Sequence, residues 1–393
     1  MRFFLLAYCI LISMFVFAQE TMKPLELTID YQGRVIVMAK INDQFAARLI
    51  LDTGADGLLL DEDFFNSTGI LINRSQQSLL PGAGSTPKRI TVVLDRMKVR
   101  VDSMVYYPPY VPLMQLRAIV GENADGIIGP SFLRDYLTEI DFENKKMRLH
   151  TDRKFLEGYD SLKLEVRNNR YYLPASVLTN GNLEIKGSFQ IDLGSSGAIH
   201  MTSPTAKQYS LETGVSNKIK FFNESGGAGG RIEGYEFRAK ELKIGKYVLN
   251  APCIDWSTDT SGALARSTYS GLLGNEILER FSTVIDFKNA VLFIKPAKNY
   301  GSKFTGPIAG FSYISKINTE KTVIVTGLYE KSPADKAGVK PGDRIIFIDG
   351  KSVLNMTEKD LKTILGDEGN DIELTLKREN EQLKIKLPRK ELL

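Results

Sequence analysis

Two short acidic turns are the residues best placed to do chemistry. In "RLILDTGADGLLL", residues 48–60, strand-forming aliphatics run into Asp52-Thr53-Gly54-Ala55-Asp56 and then leave as strand again. In "SFQIDLGSSGAIHM", residues 188–201, Asp192-Leu193-Gly194-Ser195 sits between similar flanks. A carboxylate at the end of an apolar strand, followed by glycine, has three readings: a plain turn, a calcium loop, or half of an active site completed by a second carboxylate. A plain turn needs only Asp-Thr-Gly or Asn-Gly and has no reason to recur in register with other features. The calcium reading fits Asp52, Asp56 and Gly57 to loop positions one, five and six. It then puts Gly54 and Asp63 where a side-chain ligand and a bidentate Glu are wanted, after a strand where a helix is required.

Other chemistries find little support. His150 and His200 are the only histidines and lie far apart, with no cysteine or carboxylate spacing suited to a metal. Their placement lends nothing to Ser-His-Asp or Cys-His catalysis. No cofactor motif is present, and no metal or cofactor is expected. Of the two cysteines, Cys9 falls in the N-terminal apolar run, and Cys253 in "LNAPCIDW" reads as a buried apolar residue. A chain without that run has no intramolecular disulfide and must be held by its core.

The elements that position the two aspartates repeat along the chain. "GIIGPSFLRDYLTEIDFENKKMRLH" at 126–150 returns as "GLLGNEILERFSTVIDFKNAVLFIK" at 271–295, with Gly126 matching Gly271 and Ile140-Asp141-Phe142 matching Ile285-Asp286-Phe287. Each aspartate follows a hairpin, turned at Asn42-Asp43 in one case and at Asn180-Gly181 in the other. Glycine-rich segments fall at matching places: "PGAGSTP" at 81–87, with Gly82 and Gly84, and "SGGAGG" at 225–230, with Gly226 and Gly227. The order aspartate, glycine-rich loop, apolar-apolar-glycine therefore occurs twice, in a duplicated β-rich unit.

The 393 residues are 43% hydrophobic and 25% charged, ordinary globular usage that predicts two or three domains. The net charge of +4 comes without dense basic runs, so nucleic acid is not an expected partner. "MRFFLLAYCILISMFVFAQ" reads as an export signal, with Arg2 ahead of an apolar run and Val16-Phe17-Ala18 as cleavage site. A membrane anchor would need roughly 20 apolar residues. A lipoprotein attached through Cys9 is disfavoured by Tyr8. After cleavage no integral membrane segment is expected. The expected units are a signal peptide at 1–18, two β lobes at 22–160 and 161–297, a linker at 298–306 and a compact α+β module at 307–391.

"LILDTGAD" resembles the active-site strand and turn of aspartic proteases, most nearly the retropepsin branch, and "ADGIIG" and "YSGLLG" resemble the apolar-apolar-glycine segment of that family. Two lobes in one chain resemble the pepsin arrangement. The resemblance covers about residues 25–297, strongly in the first lobe and in outline in the second. It implies a mainly β, bilobal acid-protease fold built of two β-barrel lobes, with Asp52 and Asp192 as a proton-sharing pair that activates water on a peptide bond. Gly54 and Gly194 would let the backbone fold beneath each carboxylate. Ala55 is similar to the retropepsin residue at its position and Ser195 to the pepsin one, while Asp56 would hydrogen-bond the main chain of a bound peptide. Thr53 would lock the lobes across the pair. The loops at Gly82, Gly84, Gly226 and Gly227 would be flaps over an extended polypeptide. The second turn departs from the family pattern, because Leu193 stands where a hydroxyl residue is expected. An arrangement pairing Asp52 with its copy in a homodimer is the weaker alternative.

"SPADKAGVKPGDRIIFIDGKSV", residues 332–353, resembles a PDZ domain. The resemblance implies a peptide- or protein-C-terminus site at Ala309-Gly310-Phe311, in "IAGF", which departs from the family's Gly-Leu-Gly-Phe form. The strand after it would accept the peptide and the helix in "TEKDLKTIL" would form the second wall. A PDZ fold kept to brace the lobes is the plainer reading. The expected protein is an exported aspartic endopeptidase, periplasmic, surface-bound or secreted from a bacterium. The alternative is a catalytically impaired, protease-derived peptide binder acting through its PDZ domain.

Overall fold

Alternating burial along "VIVMAKI" and "FAARLIL" makes Val35–Ile41 and Phe45–Leu51 an antiparallel hairpin with one face in the core. The turn between them uses Asn42 and Asp43, both at positive φ (51° and 60°), the mirror-type geometry that matches strand twist. The computed structural model describes residues 23–393 apart from Pro81, Ala83, Ser85, Thr86, Ala228 and Asn318. The expected export signal, residues 1–18, lies outside the described residues.

The repeated order read from the sequence becomes a repeated topology. Phe45–Leu51 runs parallel to Gly126–Ile128, which is antiparallel to Leu58–Asp61, which is in turn parallel to Val111–Met114. In the second half Glu184–Ile191 runs parallel to Gly271–Leu273, which is antiparallel to Ile199–Met201, which is parallel to Cys253–Ser257. Each acidic turn is thereby threaded by the apolar-apolar-glycine strand of its own half. The halves join where Leu137–Asp141 pairs antiparallel with Phe281–Asp286, placing Leu137 opposite Asp286 and Ile140 opposite Thr283. Ile140, Met147, Ile285 and Leu292, all essentially buried, belong to one apolar core that runs through both halves. The protein is mainly β, as expected.

The C-terminal module has its own core, with Val323, Ile345, Leu361 and Leu374 at its centre. Helix Glu358–Gly366 starts at Thr357, whose hydroxyl and the Asp360 carboxylate satisfy each other's backbone amides in a capping box. Residues 298–306, the expected linker, carry neither helix nor strand and are largely exposed, but they are anchored at Phe304. Phe304 is buried in the core of the lobes, with the Arg280 guanidinium 4.2 Å from its ring. No helix among the described residues is long and apolar enough to cross a membrane.

The module is also stitched to the second half through backbone. Its strand Thr322–Tyr329 pairs antiparallel with Lys218–Gly227, setting Phe221 opposite Tyr329, Phe222 opposite Leu328 and Asn223 opposite Gly327. A Cβ at Gly327 would stand 2.2 Å from the Phe222 carbonyl oxygen. Gly327→Val is therefore expected to open this ladder. Hydrogen exchange read by mass spectrometry should find the amides of 221–223 exchanging at least roughly tenfold faster, with Leu137–Asp141 unchanged.

Candidate active site

Both acidic turns are held by the same hydrogen bonds. Asp52 N donates to Ile128 O (3.0 Å) and Asp192 N to Leu273 O (2.9 Å), so each aspartate is pinned to the strand threading its turn. Ala55 N donates to Asp52 O (3.1 Å) and Ser195 N to Asp192 O (3.2 Å), closing each turn. Gly54 N donates to Asp52 Oδ1 (2.5 Å) and Gly194 N to Asp192 Oδ1 (2.9 Å). The Asp52 carboxyl lies against the second turn, and the two side chains perturb each other. A Cβ at Gly194 would stand 2.7 Å from Asp52 Cγ, so glycine there is what lets the first carboxylate lie against the second turn.

The electrostatics follow from this closeness. Protein surrounds the pair on most sides while each keeps some surface open. Burial first, and then the charge of Asp192, push the Asp52 carboxyl up to about 7, against the Gly54 N–H and the charge of Arg170. Burial also raises Asp192, opposed by the Gly194 N–H, His200 and Arg34. Two carboxyls in this position hold one proton between them and titrate as a pair.

Thr53 crosses between the halves. Its buried hydroxyl donates to Ile191 O (2.6 Å) and accepts from Leu193 N (3.1 Å). Leu193, without a hydroxyl, is fully buried and joins the core. Two side chains that sequence reasoning missed add bonds across the same seam. Arg34, in the turn that leads into strand Val35–Ile41, donates from Nε to Gly194 O (2.9 Å). Asn275 Nδ2 donates to Leu193 O (2.7 Å) and to Gly33 O (3.0 Å). Nothing local in the sequence marked either residue, because both partners lie far away along the chain. Asp56 is exposed and accepts from Arg170 Nη1 of the second half (2.5 Å).

The glycine-rich segments meet. A Cβ at Gly84 would come 2.5 Å from Gly229 C, and Ala263 N donates to Gly82 O (2.9 Å), so the first tip rests on the second half. Asp259 is buried nearby. Gly226 and Gly227 end the strand that pairs with the C-terminal module. In that module Ala309, Gly310 and Phe311 are buried at the start of strand Phe311–Lys316, which pairs with Thr322–Tyr329. The first half approaches this strand. The Glu122 carboxylate accepts from Thr319 N (2.9 Å) and from its hydroxyl. Cys253 is buried, and burial followed by the charge of Glu236 pushes its thiol up to about 12, in keeping with an inert core residue.

His200 is the other residue missed. Its Nδ1 lies 2.5 Å from Asp255 Oδ2 and its Nε2 lies 3.1 Å from Ser195 Oγ, beside the second acidic turn. A sign was present in the repeat, because His200 pairs with Leu272 where the first half pairs Leu59 with Ile127. A polar residue in a core strand whose counterpart is leucine needs a partner.

Residues 37–132 match the aspartyl protease family and residues 324–378 match the PDZ domain. The first match takes in Asp52 and Gly126, and Asp192 lies beyond its end. A probable CtpA-like serine protease of Staphylococcus haemolyticus is 31% identical over 93 residues, 23% of this chain and 18% of that protein. This chain spans between 18% and 33% of the curated relatives it matches. Among solved structures, a retropepsin-like aspartic protease from Rickettsia conorii is 12% identical with a TM-score of 0.24, covering 32% of this chain and 89% of that one. Basic 7S globulin from soybean is 9% identical with a TM-score of 0.40, covering 72% and 97%. The chain carries an aspartyl-protease-like segment and a C-terminal PDZ domain.

Removing the Thr53 hydroxyl strands two buried backbone groups at once. Thr53→Val is expected to cost about 2–4 kcal/mol in urea unfolding. Thr53→Ser, which keeps the hydroxyl, should cost far less.

Proposed function

We propose that the protein is an aspartic endopeptidase that hydrolyses peptide bonds in extended polypeptides with a water held between Asp52 and Asp192. The observation that carries this reading is the meeting of two carboxylates, one from each half, on turns with matching hydrogen bonds. In the first step the ionised carboxylate takes a proton from water as the oxygen attacks the scissile carbonyl carbon. The protonated carboxyl donates its proton to the carbonyl oxygen. The tetrahedral diol then collapses: one hydroxyl returns its proton to a carboxylate, the C–N bond breaks, and the other carboxyl protonates the leaving amine. Protons balance over the cycle, and the pair regains its single shared proton.

The remaining parts suit this chemistry. The tips at Gly82, Gly84 and Gly229 touch each other and must part to admit a chain and close to exclude water. The PDZ module would hold a peptide or protein C-terminus at Ala309-Gly310-Phe311 with the outer edge of Phe311–Lys316. We further propose that residues 1–18 direct export, so that the enzyme works in the periplasm, on the cell surface or after secretion. A second reading, a peptide binder without hydrolysis, is favoured by Leu193 in the second turn. A serine hydrolase draws on the approach of Ser195 to His200, but a histidine kept cationic by Asp255 has no lone pair with which to accept the serine proton.

Cleavage of an unfolded protein substrate between pH 3 and 8 tests the proposal. Asp52→Asn and Asp192→Asn should each lower turnover by at least roughly a thousandfold. Activity of the unaltered enzyme should fall as pH rises through about 7, where the shared proton is lost. If cleavage survives both substitutions, the proposal fails. If the purified chain cuts nothing yet binds peptide C-termini, the binder reading replaces it.

The same titration predicts a stability effect. Asp52 is raised from its ordinary 3.8 to about 7, so above pH 4 the unfolded chain releases a proton that the folded one retains. Stability therefore falls as pH climbs from about 4 to about 7. Asp52→Asn removes this liability. Urea unfolding should find that variant more stable than the parent at pH 7.5, on the order of 1–3 kcal/mol, with the gain gone at pH 3.5.

A further inference from the structure

The two halves of the site match in backbone but not in charge. Ser195 stands where the first half has Ala55, and His200 where it has Leu59. Across the strands His200 lies opposite Asp255, and Asp255 lies opposite Glu236. The His200 ring fits because residue 197 is glycine, where a Cβ would come 2.6 Å from Nε2. With one ring nitrogen 2.5 Å from a carboxylate and the other 3.1 Å from a hydroxyl, the imidazolium donates to both, whereas the neutral ring would donate to Asp255 and accept from Ser195.

Resting on the dyad reading above, we infer that His200, held by Asp255, is a positioning residue of the pair. It orients the Ser195 hydroxyl beneath the second turn and supplies the charge that makes Asp192 the ionised, water-activating member. Burial alone would pull the imidazole down, but Asp255, then Asp192 and Glu236, outweigh it and raise it to about 9. The cation thus persists throughout the acidic range in which the pair works.

The surrounding groups favour the same asymmetry. His200 faces Ser195, Asp192, Asp255, Glu236 and Glu276. Glu236 accepts from the Tyr329 hydroxyl of the C-terminal module (2.7 Å) and, driven first by burial, rises to about 7. Asp192 has two cations near it, His200 and Arg34, and also feels Tyr269. Asp52 has Arg170, whose guanidinium is already bonded to Asp56, and shares Arg34 with Asp192, so His200 is the cation that sets the two apart. Positive charge therefore collects on the Asp192 side, and the shared proton rests on Asp52.

Carboxyl titration by carbon NMR on the full-length chain, labelled at aspartate Cγ, tests this independently of turnover. In an Asp52→Asn background Asp192 titrates alone. Adding His200→Gln should raise its pKa by on the order of one pH unit. Asp255→Asn should raise it by part of that step, because an imidazole left without its carboxylate partner loses its proton over the range in which Asp192 titrates. In the otherwise unaltered enzyme, His200→Gln should carry the acid limb of the kcat/KM profile to higher pH by a similar step. A packing role would lower the unfolding midpoint and turnover at every pH without moving either titration, and that outcome overturns the inference. Should His200→Gln fail to fold, the Asp255→Asn titration decides alone, an unmoved Asp192 overturning the inference. The dyad reading fails separately, if the unaltered protein shows Asp52 and Asp192 titrating independently in the ordinary carboxylate range.

Discussion

Two like charges held side by side away from bulk water cannot both persist, and the structure is organised around that constraint at Asp52 and Asp192. Like-charge repulsion and burial both disfavour the doubly ionised pair, so closeness itself selects the singly protonated state. Holding such a pair costs stability, and the cost is met by backbone. Each turn is closed by its own amides, threaded by a parallel strand of its own half and backed by a core common to both halves. A closed sheet seam at Leu137–Asp141 and Phe281–Asp286 keeps the halves from separating under this repulsion.

Leu193 illustrates how the seam tolerates an unexpected residue. In a symmetric arrangement two hydroxyls would cross the dyad, and here only Thr53 does so. The leucine contributes burial instead, worth roughly 1.5–3 kcal/mol for a side chain of that size. The directional part of the missing hydroxyl is taken up by Arg34 on Gly194 O and by Asn275 on Leu193 O and Gly33 O. These donors reach the second turn from either side of the lobe boundary. A neutral bond has thus been replaced in part by a charge-assisted one, the stronger kind. The substitution that argues most strongly against activity in the sequence leaves both carboxylates in place.

What could be read from the sequence was whatever is encoded locally or by repetition. The Asp-Thr-Gly turn, the Asn-Asp hairpin and the return of Gly126–Gly129 as Gly271–Gly274 depend on neighbours within a few residues, so they survive as patterns in one dimension. Even the two tips that meet were visible as glycine clusters. What could not be read was which distant strands lie side by side. Arg34 meets Gly194, and Asn275 meets Gly33, only because a duplicated fold turns one half onto the other. His200, Asp255 and Glu236 are separated by tens of residues and become neighbours only through the register of three strands. Their one trace was a departure between the copies, histidine against leucine, and a departure has meaning only after the repeat has been aligned.

The C-terminal module adds a constraint that composition alone would not suggest. Strand Lys218–Gly227 carries the second glycine-rich tip and is paired on both edges, to Gly230–Arg238 on one side and to Thr322–Tyr329 on the other. Tyr329 also reaches Glu236 by a side-chain hydrogen bond, and Lys220 meets Glu330 at the surface. A hairpin bonded on one edge can swing by bending at its base. One bonded on both edges can move only if the ladder at 221–223 breaks or the whole module moves with it. The first tip, by contrast, is held to the second half by the Ala263–Gly82 bond and by the close approach of Gly84 to Gly229. The two tips are therefore restrained unequally: one hydrogen bond and a close backbone approach hold the first, and an entire domain holds the second.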